Sequence, residues 1–525
     1  MKRTLPAPRL AAAAVAASLV APMLATPALA DGMNNSTANV QQQINELQSE
    51  LARVKSDLAT QEANQRALQT APTQQVAGYS AAPQAPLGKG QFRVGGVTIA
   101  LGGFVELTGI YRSNNENADI ASSWSGIPMR NTPQSHMNEF GMTARQSRVS
   151  MLVEGNIDPA QKLSAYGEFD FQGAAPTANS VESNSYNPRV RQIYGTYDNS
   201  NWGLHVLAGQ AWSLLTMSKI GIVPRQENVP LTIDAQYLPG FTWARQPQLR
   251  VAKDFDDQKL WIAASLENPQ TTFSSPTTTT TITGETITST LPGGSGFAPT
   301  VNYSDNIAPD LIAKVAYDPG WGHYEAYGIL RVMSDRVSYL GGGSNNNSIA
   351  GGGGAGMILP VIPGKLDFQG SFLAGVGIGR YGAGQLPDAT VGPNGQVTPL
   401  PEVQALIGLV GHPIPSVDIY GYAGTEQIEA KSWTVNGKPY GYGNAMYSNA
   451  GCSTELSTAT CTADTSGLTQ GTVGAWWRFA QGNFGTAEVG ASYSYTRRTI
   501  FPGVGGAPST DENVVMFSFR YFPFN

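Results

Sequence analysis

Short and long connections alternate along this chain, and that alternation limits its fold more than its composition does. Period-2 spacing of apolar and polar residues predicts strands at about 104–112, 145–156, 163–171, 189–197, 202–212, 242–253, 260–267, 311–317, 324–339, 347–359, 365–381, 402–410, 418–430, 472–479, 485–499 and 513–524. That makes about sixteen, an even number. After the second, fourth, sixth and eighth strands the chain turns through Asp158-Pro159-Ala160-Gln161, Asp198-Asn199-Ser200-Asn201, Asp256-Asp257-Gln258 and Asp318-Pro319-Gly320. Later even-numbered strands turn at Pro363-Gly364, Pro413-Ile414-Pro415 and Gln481-Gly482-Asn483. The odd-numbered strands run into long stretches, 113–144, 172–188, 213–241, 268–310, 382–401 and 431–471, and only the connection near Gly341 to Asn346 is brief.

A soluble sandwich has no reason to keep its short turns on one side and its long loops on the other. A transmembrane barrel does, because its inner turns are tight and its outer loops long. The strand faces agree. Leu366, Phe368, Phe372, Ala374, Val376 and Ile378 alternate with Asp367, Gln369, Ser371 and glycines, and the last strand puts Val515, Phe517, Phe519 and Tyr521 opposite Ser518 and Arg520. In a closed barrel the apolar face meets lipid, the polar face lines a lumen, and no edge is left unpaired in hydrocarbon. The expected fold is an all-β membrane protein, a 16-stranded antiparallel transmembrane β-barrel over 92–525.

The N-terminus reads as a secretory signal peptide over 1–30: Lys2, Arg3 and Arg9, an Ala/Leu/Val segment, then Ala28-Leu29-Ala30. The protein therefore leaves the cytoplasm. No later run of roughly 18 apolar residues could form a helical span. The two cysteines, Cys452 and Cys461, lie in one polar segment and can form a local disulfide in an oxidising compartment. They lack the further ligands a metal site needs, and a formal charge of −6 does not suggest nucleic acid.

Residues 31–69 carry a heptad repeat, with Ile44, Leu51 and Leu58 at a and Val40, Leu47 and Val54 at d. A short α-helical coiled coil that oligomerises the chain explains this spacing. A lone amphipathic helix would also explain it, though such a helix usually shows a wider apolar stripe. The Pro-, Gln-, Ala- and Gly-rich segment 70–91 reads as a linker.

The barrel region opens on "VTIALGGFVELTGIYR" and continues through "TARQSRVSMLVEG", and "WARQPQLRV" at Trp243 to Val251 repeats the ARQ element of "ARQSR" at Ala144 to Arg148. With the leader, heptad arm and linker, this resembles the DcaP-like family of trimeric outer-membrane porins over essentially the whole mature chain. Barrels of this kind commonly end on Phe, whereas here Phe524 is followed by Asn525. The resemblance implies a homotrimer in the bacterial outer membrane, with the coiled coil in the periplasm. It also implies passage of small, often negatively charged solutes such as dicarboxylates.

With both termini periplasmic, odd strands rise and even strands descend. Arg112, Arg380, Arg497 and Arg498 then lie at the tops of rising strands, and Arg145, Arg148, Arg189, Arg191, Arg245 and Arg250 at the starts of descending ones. Glu325, Asp367, Asp418 and Glu488 lie near the lower ends, and Glu154 and Glu168 nearer the middle. Parity puts Arg148, Arg250, Arg331 and Arg498 on the lumen face. Arg145, Arg189, Arg191 and Arg245 share parity with outward residues, and reach the lumen only through a bulge or above the membrane. Arg112, Arg145, Arg148, Arg191, Arg245, Arg250, Arg331 and Arg498 are the candidate pore-lining, anion-binding residues, because clustered guanidinium groups in a narrow lumen focus a field and match carboxylates. The apolar "SLLTMSKIGIVP" in 213–241 predicts a third outer loop folded into the barrel; packing on a trimer neighbour is the alternative. The Thr/Ser-rich stretch from Thr271 to Thr290 reads as exposed loop.

An enzyme is not expected, and neither is a cofactor or metal. His136, His205, His323 and His412 are scattered, and no nucleophile elbow, HExxH, phosphate loop or dinucleotide fingerprint occurs. "GGGGAGM" at 351–357 lacks a following Lys and lies in a strand, where small residues relieve crowding. A trimeric surface adhesin is the alternative from another class, but there only the last several dozen residues would form the barrel. An outer-membrane phospholipase would need a nucleophile constellation that the sequence lacks.

Overall fold

A computed structural model describes residues 87–173, 187–274, 277–282, 285–290, 303–304 and 306–524, together with helical positions Gln48, Ser49, Ala52 and Lys55. The expected leader, the heptad residues Ile44, Leu47, Leu51, Val54 and Leu58, and most of the linker lie outside the described residues. The chain divides into two compact units, 1–85 and 86–525, and the second is the barrel.

Its strands in chain order are β1 (Val97–Arg112), β2 (Glu139–Thr143 continued by Arg148–Asp158), β3 (Gln161–Asp170), β4 (Arg189–Asn199), β5 (Leu204–Trp212) and β6 (Arg245–Phe255). They continue as β7 (Leu260–Glu267), β8 (Asp310–Tyr317), β9 (His323–Tyr339), β10 (Gly342–Ile362) and β11 (Leu366–Val376). The last are β12 (Pro401–Ile414), β13 (Val417–Ile428), β14 (Thr465–Gly482), β15 (Gly485–Ile500) and β16 (Ser509–Phe522). Each pairs antiparallel with its neighbour in sequence, and β16 closes on β1 from Val105↔Tyr521 to Arg112↔Val514. Closure leaves no barrel edge, so every wall strand satisfies its backbone within the sheet.

The two faces of the wall follow from the alternation. Val105, Leu107 and Tyr111 of β1 and Phe517 and Phe519 of β16 are exposed outward, while Glu106, Thr108, Arg112 and Ser518 between them are buried inward. The same rhythm runs through β8, where Leu311 and Val315 point out and Ile312 and Lys314 point in. An exposed apolar band around a cylinder with a polar interior is the reverse of a soluble protein, and it matches a hydrocarbon surround.

Two expectations need correction. The strand expected over 365–381 ends at Val376, and Gly379–Tyr381 forms a 3-10 turn that enters the lumen. Period-2 spacing persists through Ile378, so sequence could not mark where the chain leaves the wall. The Thr-rich stretch pairs as a hairpin, Thr277–Ile282 with Glu285–Thr290, and Thr288 to Thr290 add to β9. β-branched threonine favours extended chain, and a uniform run has no alternation to reveal it.

Candidate functional site

Three loops fold into the barrel from its loop end. The third (213–244) brings Leu214, Leu215, Ile233, Leu238 and Phe241 to nearly complete burial, so the apolar "SLLTMSKIGIVP" is inside. Charged wall residues hold its descending limb: Lys314 Nζ donates to Thr216 O at 2.8 Å, and the backbone N–H groups of Ser218 and Gly221 reach Glu325 and Asp318 at 3.1 and 2.8 Å. Met217 rests against the glycine strip of β10, where a Cβ on Gly356 would stand 2.7 Å from its sulfur. This gives the glycine-rich segment its packing role.

The returning limb crosses to the opposite wall. Gly240 has φ +89°, and a Cβ there would lie 2.1 Å from Ala405 O. Its N–H donates to Glu426 Oε1 at 2.8 Å, an oxygen that also accepts from Gly384 N of the sixth loop (377–400) at 2.8 Å. Trp243 N and Tyr381 O, and Ala383 N and Phe241 O, join these two loops. The first loop (113–138) closes the set through Ala235 N to Ile120 O at 3.0 Å and Ser122 N to Asp234 Oδ1 at 3.2 Å. The apolar side chains of the three loops pack on the inward faces of β12–β16 as one cluster, including Trp124, Tyr422, Trp476 and Met516. A second cluster, with Leu215, Ile222 and Tyr381, covers β6–β9.

The inward face of β2 and the start of β3 stay partly accessible, whereas Ser164, Glu168 and Asp170 of β3 and Arg191 and Thr196 of β4 are buried. Along this strip the side chains of Arg148, Glu154 and Lys162 are 21%, 33% and 42% exposed. The loop-end half of the strip carries the arginines. Arg191 reaches the lumen through a bulge: Glu168 pairs with Gln192 and Phe169 with Val190, which leaves Arg191 as the extra residue. Its guanidinium binds Glu168 at 2.6 Å and Asp170 at 3.0 Å and points Nη2 at the hydroxyl of Tyr237 from the third loop, 3.4 Å away. Arg189 holds Asp170 bidentately at 2.9 and 2.6 Å.

Arg148 and Arg245 are different. Arg148 lies over the Phe104 ring, 5.2 Å from its centroid, and comes only within 3.8 Å of Glu168. Arg245 stacks over Trp212 and Trp243 at 4.9 and 5.9 Å. Arg148 Nε and Arg245 Nη1 are buried against these rings and have no hydrogen-bond partner. Both arginines lie within coulombic range of Arg191, Tyr237 and Glu168.

The other predicted arginines are built into the structure. Arg331 is fully buried, with Nε 3.1 Å from Asp310, Nη1 2.8 Å from Asp388, and further bonds to Gly377 O and Gln270 O. Arg250 donates to Gln248 Oε1 at 3.0 Å and Trp212 O at 2.5 Å. Arg112 binds Glu139 at 2.8 Å and the first-loop carbonyls of Ala118 and Asp119. Arg145 binds Asp119 at 2.8 Å and Phe171 O at 3.1 Å. Arg498 donates to Thr465, Ile127 O and Ala463 O at 2.8–2.9 Å.

The expected separation of arginine above and carboxylate below is also incomplete, since Glu168, Asp170, Asp310, Glu402 and Glu426 all point inward toward the loop end. Sequence reading missed Tyr237, Trp212 and Trp243, and also Arg520, which stacks on Trp476 at 4.2 Å beside Glu106. Only the polar parity of Arg520 with Ser518 signalled its place.

In the seventh loop (429–464) Cys452 and Cys461 form a disulfide. His205, His323 and His412 sit at the turn end, each between two acids: Asp198 and Asp254, Asp318 and Glu325, Asp418 and Asp367. Among the described residues no three His, Cys, Asp or Glu side chains converge on a metal position.

No protein-family model matches the sequence, and no curated protein matches it. Among solved structures, the outer-membrane channel DcaP of Acinetobacter baumannii is similar, with a TM-score of 0.58, 17% identity, and 83% of this chain and 100% of that chain covered. The anion-selective porin from Comamonas acidovorans matches at a TM-score of 0.45, 10% identity, and 81% and 99% coverage. Outer-membrane expressed OmpT of Vibrio cholerae matches at 0.44, 11% identity, and 82% and 99% coverage. The chain thus has the fold of the DcaP channel.

Proposed function

We propose that this protein is an outer-membrane porin, a passive diffusion channel for small hydrophilic solutes that favours anions such as dicarboxylates. It works as a homotrimer whose heptad arm, Ile44 to Leu58, lies in the periplasm. The observation that carries the anion preference is the pair Arg148 and Arg245, guanidinium groups stacked on aromatic rings rather than held by a carboxylate at hydrogen-bond distance, with the Arg148 side chain 21% exposed to the lumen. Around them Arg148, Arg189, Arg191 and Arg245 outnumber Glu168 and Asp170. Stacking on Phe104, Trp212 and Trp243 holds the two cations in place without neutralising them. A carboxylate in transit can pair with the accessible side of the Arg148 guanidinium, with Arg245 adding charge beside it, and the neighbouring acids keep that contact weak enough to release.

The test is the reversal potential of the purified protein in a planar bilayer under a KCl gradient. An anion-selective wild type that loses selectivity in Arg148→Gln/Arg245→Gln supports the proposal, and a cation-selective wild type overturns it. Sixteen strands beginning at Val97 leave little room for the adhesin reading.

A further inference from the structure

The junction between the first loop and the wall holds more carboxylate than the protein itself neutralises. Arg112 lies among Glu116, Glu139, Asp234 and Glu512. It binds Glu139 at 2.8 Å and stands 3.5 Å from Glu116. Backbone N–H groups serve the other oxygens: Asn117 for Glu139 at 3.1 Å, Ser123 for Glu116 at 3.0 Å, and Ser122 and Gln236 for Asp234 at 3.2 and 2.8 Å. Glu512 has no such support. It is fully buried, and neither of its oxygens has a hydrogen-bond partner. Its carboxylate touches that of Glu116, whose Oε1 is likewise unpartnered.

Two neutral oxygens stand beside them. Strand register puts Gln470 opposite Thr496 and Thr496 opposite Glu512, all on the inward face. Such cross-strand neighbours have Cβ atoms about 4.5–5.5 Å apart. Thr496 is 0% and Gln470 2% exposed, yet Thr496 Oγ1 and Gln470 Oε1 have no partner. The amide nitrogen of Gln470 donates to Thr472 Oγ1 at 2.8 Å, which turns its carbonyl oxygen the other way.

Four buried side chains with unpartnered oxygens, two of them carboxylates, one an amide and one a hydroxyl, are the ligand set of a hard cation. We propose that Glu116, Gln470, Thr496 and Glu512 bind one divalent cation, preferably calcium, which fastens the first loop to β14–β16. Calcium tolerates an irregular shell of carboxylate, amide and hydroxyl oxygens completed by water, whereas magnesium demands a near-ideal octahedron. Two carboxylates and two neutral oxygens make this site, so it needs no trio of acids. The cation supplies the positive charge that Arg112, shared among four carboxylates, leaves wanting.

The experiment uses full-length protein refolded without lipopolysaccharide, treated with chelator and titrated with CaCl2 alone, read by calorimetry and by thermal unfolding. Wild type binds one high-affinity calcium per chain, and its unfolding midpoint rises. Glu512→Gln loses both effects while its midpoint in chelator equals or exceeds that of wild type, because the unpartnered charge is gone. Thr496→Val, a milder change, weakens affinity at least tenfold. An equal calcium response in wild type and Glu512→Gln overturns the proposal. So does a wild-type midpoint that ignores calcium and rises on acidification, which would mean that Glu116 and Glu512 share a proton.

Discussion

Arg148 Nη1 stops 3.8 Å from Glu168, a carboxylate that Arg191 already holds at 2.6 Å. One acid thus serves two guanidinium groups, and Arg148 keeps donors for a passing anion. In Arg148→Gln/Arg245→Gln the reversal potential should move toward cations, with the anion-to-cation permeability ratio falling on the order of several-fold. The difference should shrink between 0.1 and 1 M salt as the Debye length drops from about 10 to about 3 Å. A double variant with unchanged selectivity would refute the assignment.

Arg331 should behave as a folding residue. Arg331→Met leaves Asp310 and Asp388 buried without their cation, at a cost of about 3–5 kcal/mol. The folded fraction on unheated gels should fall, and adding Asp310→Asn and Asp388→Asn should recover part of it. Folded Arg331→Met molecules should keep wild-type ion selectivity in bilayers.

The third loop should loosen at Gly240. A valine there meets both the positive φ and the Ala405 carbonyl, and it separates the loop from Glu426. Losing a hydrogen bond to a charged group costs about 1.5–3 kcal/mol, enough to free a limb but not to open the barrel. Single-channel recordings of Gly240→Val should show larger and noisier conductance while heat resistance stays near that of wild type.

The disulfide should matter locally. Closing a ring between cysteines nine residues apart contributes about 2 to 3 kcal/mol to ordering of the seventh loop in the entropy model. Cys452→Ser/Cys461→Ser should therefore be cut faster by protease in 429–464, with the barrel's thermal transition hardly moved. Free thiols found by mass spectrometry in protein from the cell envelope would count against the bridge.

The heptad arm should act on assembly alone. Removing residues 41–68 should weaken the trimer in mild detergent without unfolding the barrel. A wild-type protein that runs as a monomer with its arm intact would rule this role out.

Most of the wall was legible from local spacing. β7 and β9 appear within a residue of their expected bounds, because a strand with one face in lipid and one in the lumen must alternate. The arginine site was legible only in part. Parity placed Arg148 inward and left Arg191 to a bulge, but a bulge is a register shift between β3 and β4 that neither strand reveals alone. Tyr237 and Trp243 sit in a loop with no period, so no spacing could bring them to Arg191 and Arg245.

The sequence by itself determined the strand number, the sidedness of the connections and the apolar outer surface, all of which are repeats over a few residues. The tertiary structure decided which inward charges meet solvent. Arg148 and Arg331 have the same parity, yet Arg331 meets Asp388 from the sixth loop, 57 residues away, while Arg148 faces an accessible strip. Burial of a charge depends on partners delivered by inserted loops, and their paths are set by packing across the lumen, which no local pattern encodes.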